Sequence, residues 1–80
     1  MNIGQQLINL IEDQLEIKDE VTLNNKLVDI GYDSLKFIEL VIKIESFFEI
    51  EFEDEYLSYH KFETVSEVEE YISSKVKTLV

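Results

Sequence analysis

The stretch "DIGYDSLKFIEL", residues 29–40, sets a serine between an aspartate and a leucine, with two residues separating it from Gly31. From Ser34 onward the apolar residues fall at helical spacing. Ile38, Leu40, Val41, Ile44, Phe47 and Phe48 give one wide apolar face. Before it, Gly31 breaks any regular period. A loop therefore becomes a helix at or just after Ser34. Serine is a favoured N-cap, because its oxygen accepts from a free N–H of the first turn. Position 37 is Phe and not Glu or Gln, so the reciprocal half of a capping box is missing. The expectation is a second helix capped by Ser34.

Outward from this point the chain reads as helices. Ile3, Leu7, Leu10, Ile11 and Leu15 recur at helical spacing, with Glu12, Asp13 and Glu16 on other faces. That predicts an amphipathic helix over about residues 2–16, with Asn2 as N-cap and Gln5 three residues on. The segment between the helices has no sustained period and carries Asn24 and Asn25 as breakers. Its Val21, Leu23, Leu27 and Ile30 should pin it onto the helices.

Beyond the second helix, Phe48, Ile50 and Phe52 alternate with Glu49, Glu51 and Glu53, a strand pattern. No second strand is available to pair with it. The stretch is read as a helix end plus an extended link, and "DEYLSYHKF" as one short helix. "TVSEVEEYISSKVKTLV" closes the chain. Thr64 with Glu67 makes a capping box, and Val65, Val68, Ile72, Val76 and Leu79 form one stripe. Lys75 and Lys77 lie where cations suit the helix dipole. The expected fold is all-α: a small four-helix bundle of three main helices plus one short one, with a long first loop, as a single domain over residues 1–80.

Composition narrows the function. Seven lysines, no arginine and 18 acids give a formal net charge of −11. Nucleic-acid backbones and anionic membranes need basic surfaces, so neither is an expected partner. Proteins with basic patches are. There is no cysteine, which removes disulfides and thiolate metal sites. The only histidine is His60, too few nitrogen ligands for zinc. "DEVTLNNKLVDI" and "DIGYDSLKFIEL" both lack the glycine that an EF-hand requires at its sixth position. No metal site is expected. "MNIGQQLINLIEDQ" has neither a basic n-region nor a long apolar h-region, so no signal peptide is expected. A monomeric, cytoplasmic protein is the reading.

Ser34 itself admits three roles. It caps a helix and does nothing more; or it is a nucleophile; or it is modified. A nucleophile needs a base and an orienting group. "GYDSL" is not the G-x-S-x-G elbow, and His60 stands alone on the expected short helix. No catalytic residue is assigned, and the chain is not expected to be an enzyme. A phosphate ester, by contrast, suits a helix N-terminus, where free N–H groups and the positive end of the dipole meet.

"LVDIGYDSLKFIELVIKIESFFEIEFEDE" resembles the core of the acyl and peptidyl carrier proteins. The likeness includes "EVT" in the loop, L-x-D-x-G ahead of D-S-L, and the closing T-V-x-E-V-x-x-Y-I, and it spans essentially the whole chain. The resemblance implies 4′-phosphopantetheine esterified to Ser34 by a phosphopantetheinyl transferase, with coenzyme A as donor. Acyl or aminoacyl intermediates would ride on that arm as thioesters. Asp33 is similar to the family's acidic residue before the serine. Leu35, Glu39, Ile42 and Glu45 match the helix face that docks to transferases, loading enzymes and synthases with basic patches.

Two features depart from fatty-acid carriers. Lys36 and Lys43 reduce the acidity of the second helix, and Phe37 and Phe47 are bulky. They point to a free-standing carrier of a specialised polyketide or nonribosomal peptide pathway. The alternatives are a housekeeping fatty-acid carrier and an unmodified acidic interaction module.

Overall fold

The computed structural model describes residues 2–16, 20–57 and 59–77. Three α-helices dominate: α1 (Ile3–Leu15), α2 (Ser34–Phe48) and α3 (Val65–Lys77). Three 3-10 turns join them, at Val28–Ile30, Asp54–Tyr56 and Tyr59–Lys61. The all-α bundle expected from the sequence is the observed class. The short helix is realised as two separate 3-10 turns. A 3-10 turn needs only i to i+3 bonds, so it fits where no periodic apolar run sustains a longer helix.

Local chemistry sets the helix ends. Asn2 Oδ1 accepts from the Gln5 N–H at 2.9 Å and opens α1. The Gln5 side chain does not return the bond; its Nε2 donates to Asn9 Oδ1. Glu16 and Glu49 close α1 and α2 in the left-handed conformation, at φ 53° and 57°. The capping box of α3 is present. The Thr64 N–H donates to Glu67 Oε1 at 3.2 Å, and the Glu67 N–H donates to Thr64 Oγ1 at 3.4 Å.

The core gathers one face of each helix. Leu7 and Ile11 of α1, Phe37, Leu40, Val41 and Ile44 of α2, and Val65, Val68 and Ile72 of α3 are all but inaccessible to solvent. Truncating one of the leucines or isoleucines to alanine would cost about 2–5 kcal/mol. Helix α1 packs against both α2 and α3. The apolar face of α2 is narrower than its sequence suggests. Phe47 is 53% exposed, because the buried row runs Phe37, Leu40, Val41, Ile44 and Phe48, and Phe47 falls at its edge. Its ring meets Phe48 edge-on instead. Leu79 and the Lys77 side chain lie outside the described residues.

The first loop is pinned from two sides. Val21 and Leu27 are buried, and Leu23 and Ile30 pack against the core. The loop also clasps the start of α3. The Leu27 N–H donates to Glu63 O at 3.0 Å, Val65 N–H to Asn25 O at 3.0 Å, and Ser66 N–H to Leu23 O at 2.8 Å. The carbonyls of the loop thus satisfy N–H groups that a helix start leaves without partners.

The link after α2 has no regular structure, with Ile50 and Phe52 buried and Glu49, Glu51 and Glu53 exposed. It pairs with no strand among the described residues. Side chains hold it instead. Glu45 Oε2 accepts from the Phe52 N–H at 2.8 Å, and the Tyr71 hydroxyl accepts from the Glu53 N–H at 3.1 Å. Lys75 reaches Glu53 Oε1 at 3.0 Å and lies 5.5 Å above the Tyr71 ring. Beneath the link sits a ring cluster centred on Phe62. Its neighbours are Phe37, Phe52, Tyr56 and Tyr71, with centroids between 5.7 and 6.3 Å from it.

Candidate functional site

Ser34 is the first residue of α2, and Asp33 is its cap. Asp33 has an extended backbone, and its Oδ1 accepts from the Lys36 N–H at 2.8 Å. The Asp33 carbonyl accepts from the Phe37 N–H at 2.9 Å. The cap therefore lies one residue before the serine that the sequence pointed to. Both residue types cap well, but a carboxylate adds negative charge at the positive end of the helix. Ser34 is left exposed, and its hydroxyl makes no hydrogen bond among the described residues.

The approach to the serine is tightly built. Gly31 ends the Val28–Ile30 turn at φ 109°. A Cβ added there would meet nothing within 4 Å, so the conformation and not the space calls for glycine. Tyr32 then turns its ring into the core. Its hydroxyl donates to Gln14 Oε1 at 2.6 Å, while Gln14 Nε2 donates to the Lys36 carbonyl at 3.0 Å. One side chain of α1 thus ties down the residues on both sides of the serine. Burial pushes the Tyr32 phenol well above the usual tyrosine range, so at neutral pH it is an uncharged donor.

The expected docking residues divide. Leu35 and Ile42 are 71% and 60% exposed, and Glu39 is exposed between them. Their i, i+4, i+7 spacing puts all three on one face of α2, opposite the core. Glu45 is different. It is half-buried, and its carboxylate is occupied by the Phe52 N–H. Lys36 and Lys43 are exposed on the same helix. Among the described residues no three acidic or histidine side chains converge on a metal-sized site, and no helix is long and apolar enough to cross a membrane.

Neither Gln14 nor Tyr32 stands out from sequence reasoning. Gln14 follows no motif, and its partners lie far along the chain.

The site is an exposed serine that opens a capped helix of a small helical bundle, behind a loop braced from α1. Residues 5–72 match the family described as the phosphopantetheine attachment site, and the chain belongs to that family. It is 41% identical over 76 residues to an acyl carrier protein of Phytoplasma mali, covering 92% of this chain and 88% of that one. It is 36% identical over 78 residues to an acyl carrier protein of Coprothermobacter proteolyticus (95% and 93%). A third acyl carrier protein, from Buchnera aphidicola, is 38% identical over 78 residues (95% and 96%). The chain is an acyl carrier and not an enzyme, and its cofactor is covalent 4′-phosphopantetheine.

The residues present fit that group. Ser34 offers an exposed hydroxyl that could take an ester, at a helix start whose N–H groups and dipole would suit a phosphate. The arm supplies a terminal thiol, on which an acyl group is carried as a thioester. With no cysteine in the chain, no other thiol competes with it.

Proposed function

We propose that Ser34 is the attachment residue and that the chain presents acyl groups to a series of partner enzymes. The observation that carries this is the exposed, unbonded Ser34 hydroxyl between Tyr32 and Lys36, both held to α1 through Gln14. In the attachment the serine oxygen forms a new ester bond to phosphorus and loses its proton. The pyrophosphate bond of coenzyme A breaks, and the nucleotide leaves. Bracing the loop presents the hydroxyl to a transferase in one geometry. Intact mass after incubation with coenzyme A and a broad-specificity transferase tests the reading. Wild type gains one arm and Ser34→Ala gains none. An unchanged gain in the variant, or none in wild type, defeats the assignment. The second of these outcomes would favour an unmodified acidic interaction module.

The face of Leu35, Glu39 and Ile42 is the docking surface in this reading. Its partners are the transferase and the loading and synthase enzymes, through basic patches that meet the acidic surface. For the pathway, Lys36, Lys43 and the ring cluster around Phe62 support a specialised polyketide or nonribosomal peptide route. The similarity to bacterial acyl carriers over nearly their whole length supports the second reading, general fatty-acid supply.

A further inference from the structure

Helix α2 carries a second exposed stripe beside the Leu35–Glu39–Ile42 face. Lys36, Lys43 and Phe47 follow one another at i, i+7 and i+11, so they share one side of the helix, about a quarter-turn around from Leu35. All three are exposed. Lys36 stands at the serine end, Lys43 two turns on and Phe47 one turn beyond, a span of about 16 Å. Phe47 meets Phe48 edge-on and still leaves 53% of its surface to water.

The charges of this stripe are uncommitted. In a chain of formal net charge −11, carboxylates are plentiful. Glu39 lies three residues after Lys36 and four before Lys43, the spacings at which helical ion pairs close. Yet among the described residues neither lysine side chain is in an ion pair; the pair that forms joins Lys75 to Glu53. Solubility does not account for the stripe. The acidic surface already supplies it, and an exposed aromatic works against it. We propose that Lys36, Lys43 and Phe47 form a second contact stripe, for a partner enzyme whose docking surface sets carboxylates opposite the two lysines and an apolar pocket opposite Phe47. The partner's surface is then mixed, basic where it meets Glu39 and acidic a quarter-turn away. An aromatic buried in such a pocket supplies affinity, and the flanking charges set orientation and on-rate. The two lysines also repel a uniformly basic surface, so the stripe selects among partners. The inference rests on α2 as a docking helix and is independent of Ser34.

The experiment titrates the full chain, followed by NMR at low and high salt, with two synthetic helical peptides. Both carry the same leucine stripe, flanked by glutamates in one and by lysines in the other. The glutamate peptide should shift the Lys36 and Lys43 side-chain signals and the Phe47 ring. Lys36→Glu combined with Lys43→Glu should weaken that peptide about fivefold at low salt and strengthen the lysine peptide. Phe47→Ser should weaken it with little change in salt dependence. The substituted positions are exposed, and an amide spectrum unchanged elsewhere verifies the fold of each variant. A glutamate peptide that does not bind, that leaves Phe47 unshifted, or that binds the doubly reversed variant as tightly as wild type overturns the proposal. A lysine peptide that leaves Leu35, Glu39 and Ile42 unshifted strikes the reading of α2 as a docking helix itself, a failure distinct from the loss of this stripe.

Discussion

The Tyr32 hydroxyl donates to Gln14 Oε1 at 2.6 Å across 18 positions of sequence, and so joins the serine loop to α1. Gln14→Ala leaves that hydroxyl in a largely buried place without its acceptor. An unsatisfied buried donor costs about 1–3 kcal/mol, and partial access to water puts this one at the lower end. The urea midpoint should fall with no change in slope. Tyr32→Phe removes the donor as well, so the double variant should lose less than the sum of the two single losses. Strict additivity would show that the bond contributes nothing.

The same tyrosine gives the domain an alkaline weakness. Burial raises the Tyr32 pKa in the folded state, whereas an unfolded tyrosine loses its proton near pH 10. Stability from this group is whole below about pH 10 and declines as the pH rises further, because the unfolded chain sheds the proton first. Tyr32→Phe lacks this dependence. The difference in unfolding free energy between wild type and variant should therefore move in the variant's favour from about pH 8 to about pH 11. A constant difference would mean that the phenol is not desolvated.

Because Asp33 and not Ser34 caps α2, the two substitutions should separate. Asp33→Ala is expected to lower stability by about 0.5–2 kcal/mol. Ser34→Ala should stay within about 0.5 kcal/mol of wild type, as an exposed side chain without partners does. That makes Ser34→Ala a sound control in the modification assay. An equal loss in both variants, read by denaturant melts, would return the capping role to the serine.

The two glutamates assigned to docking should also part company. Glu39→Lys is expected to weaken transferase binding, most strongly at low salt. Leu35→Ala should weaken it with little change in salt dependence. Glu45→Ala acts elsewhere: it frees the Phe52 N–H and should cost about 1–3 kcal/mol of stability. Titration calorimetry at two salt concentrations, with a melt for each variant, separates the effects. Unweakened binding by Glu39→Lys at low salt would remove the electrostatic part of the docking face.

What the sequence disclosed was periodic or local. The stripe of Val65, Val68 and Ile72 and the Thr64–Glu67 box follow from spacings of three and four, and α3 begins as they require. The alternation of Phe48, Ile50 and Phe52 revealed which side chains turn inward, although no strand forms. The cap of α2 was displaced by one residue because two adjacent residues cap almost equally well. Glu45, Gln14, Tyr71 and Lys75 escaped for another reason. Each acts on a group remote in the chain, and a single polar contact leaves no period behind it. Lys75 suited the helix dipole by position, yet it is spent on Glu53 and the Tyr71 ring.

The clasp between the first loop and α3 bears on how the domain opens. Leu27, Val65 and Ser66 donate across it, so their amides cannot meet solvent one at a time without parting the same few bonds. They should exchange their protons together, as one cooperative unit. That unit includes the loop that leads through Gly31 to α2, which Ser34 opens, though α3 itself contributes no residue to the serine site. Opening at the start of α3 would therefore loosen the first loop as well, while the Gln14 bonds to Tyr32 and Lys36 still tie the serine end of that loop to α1.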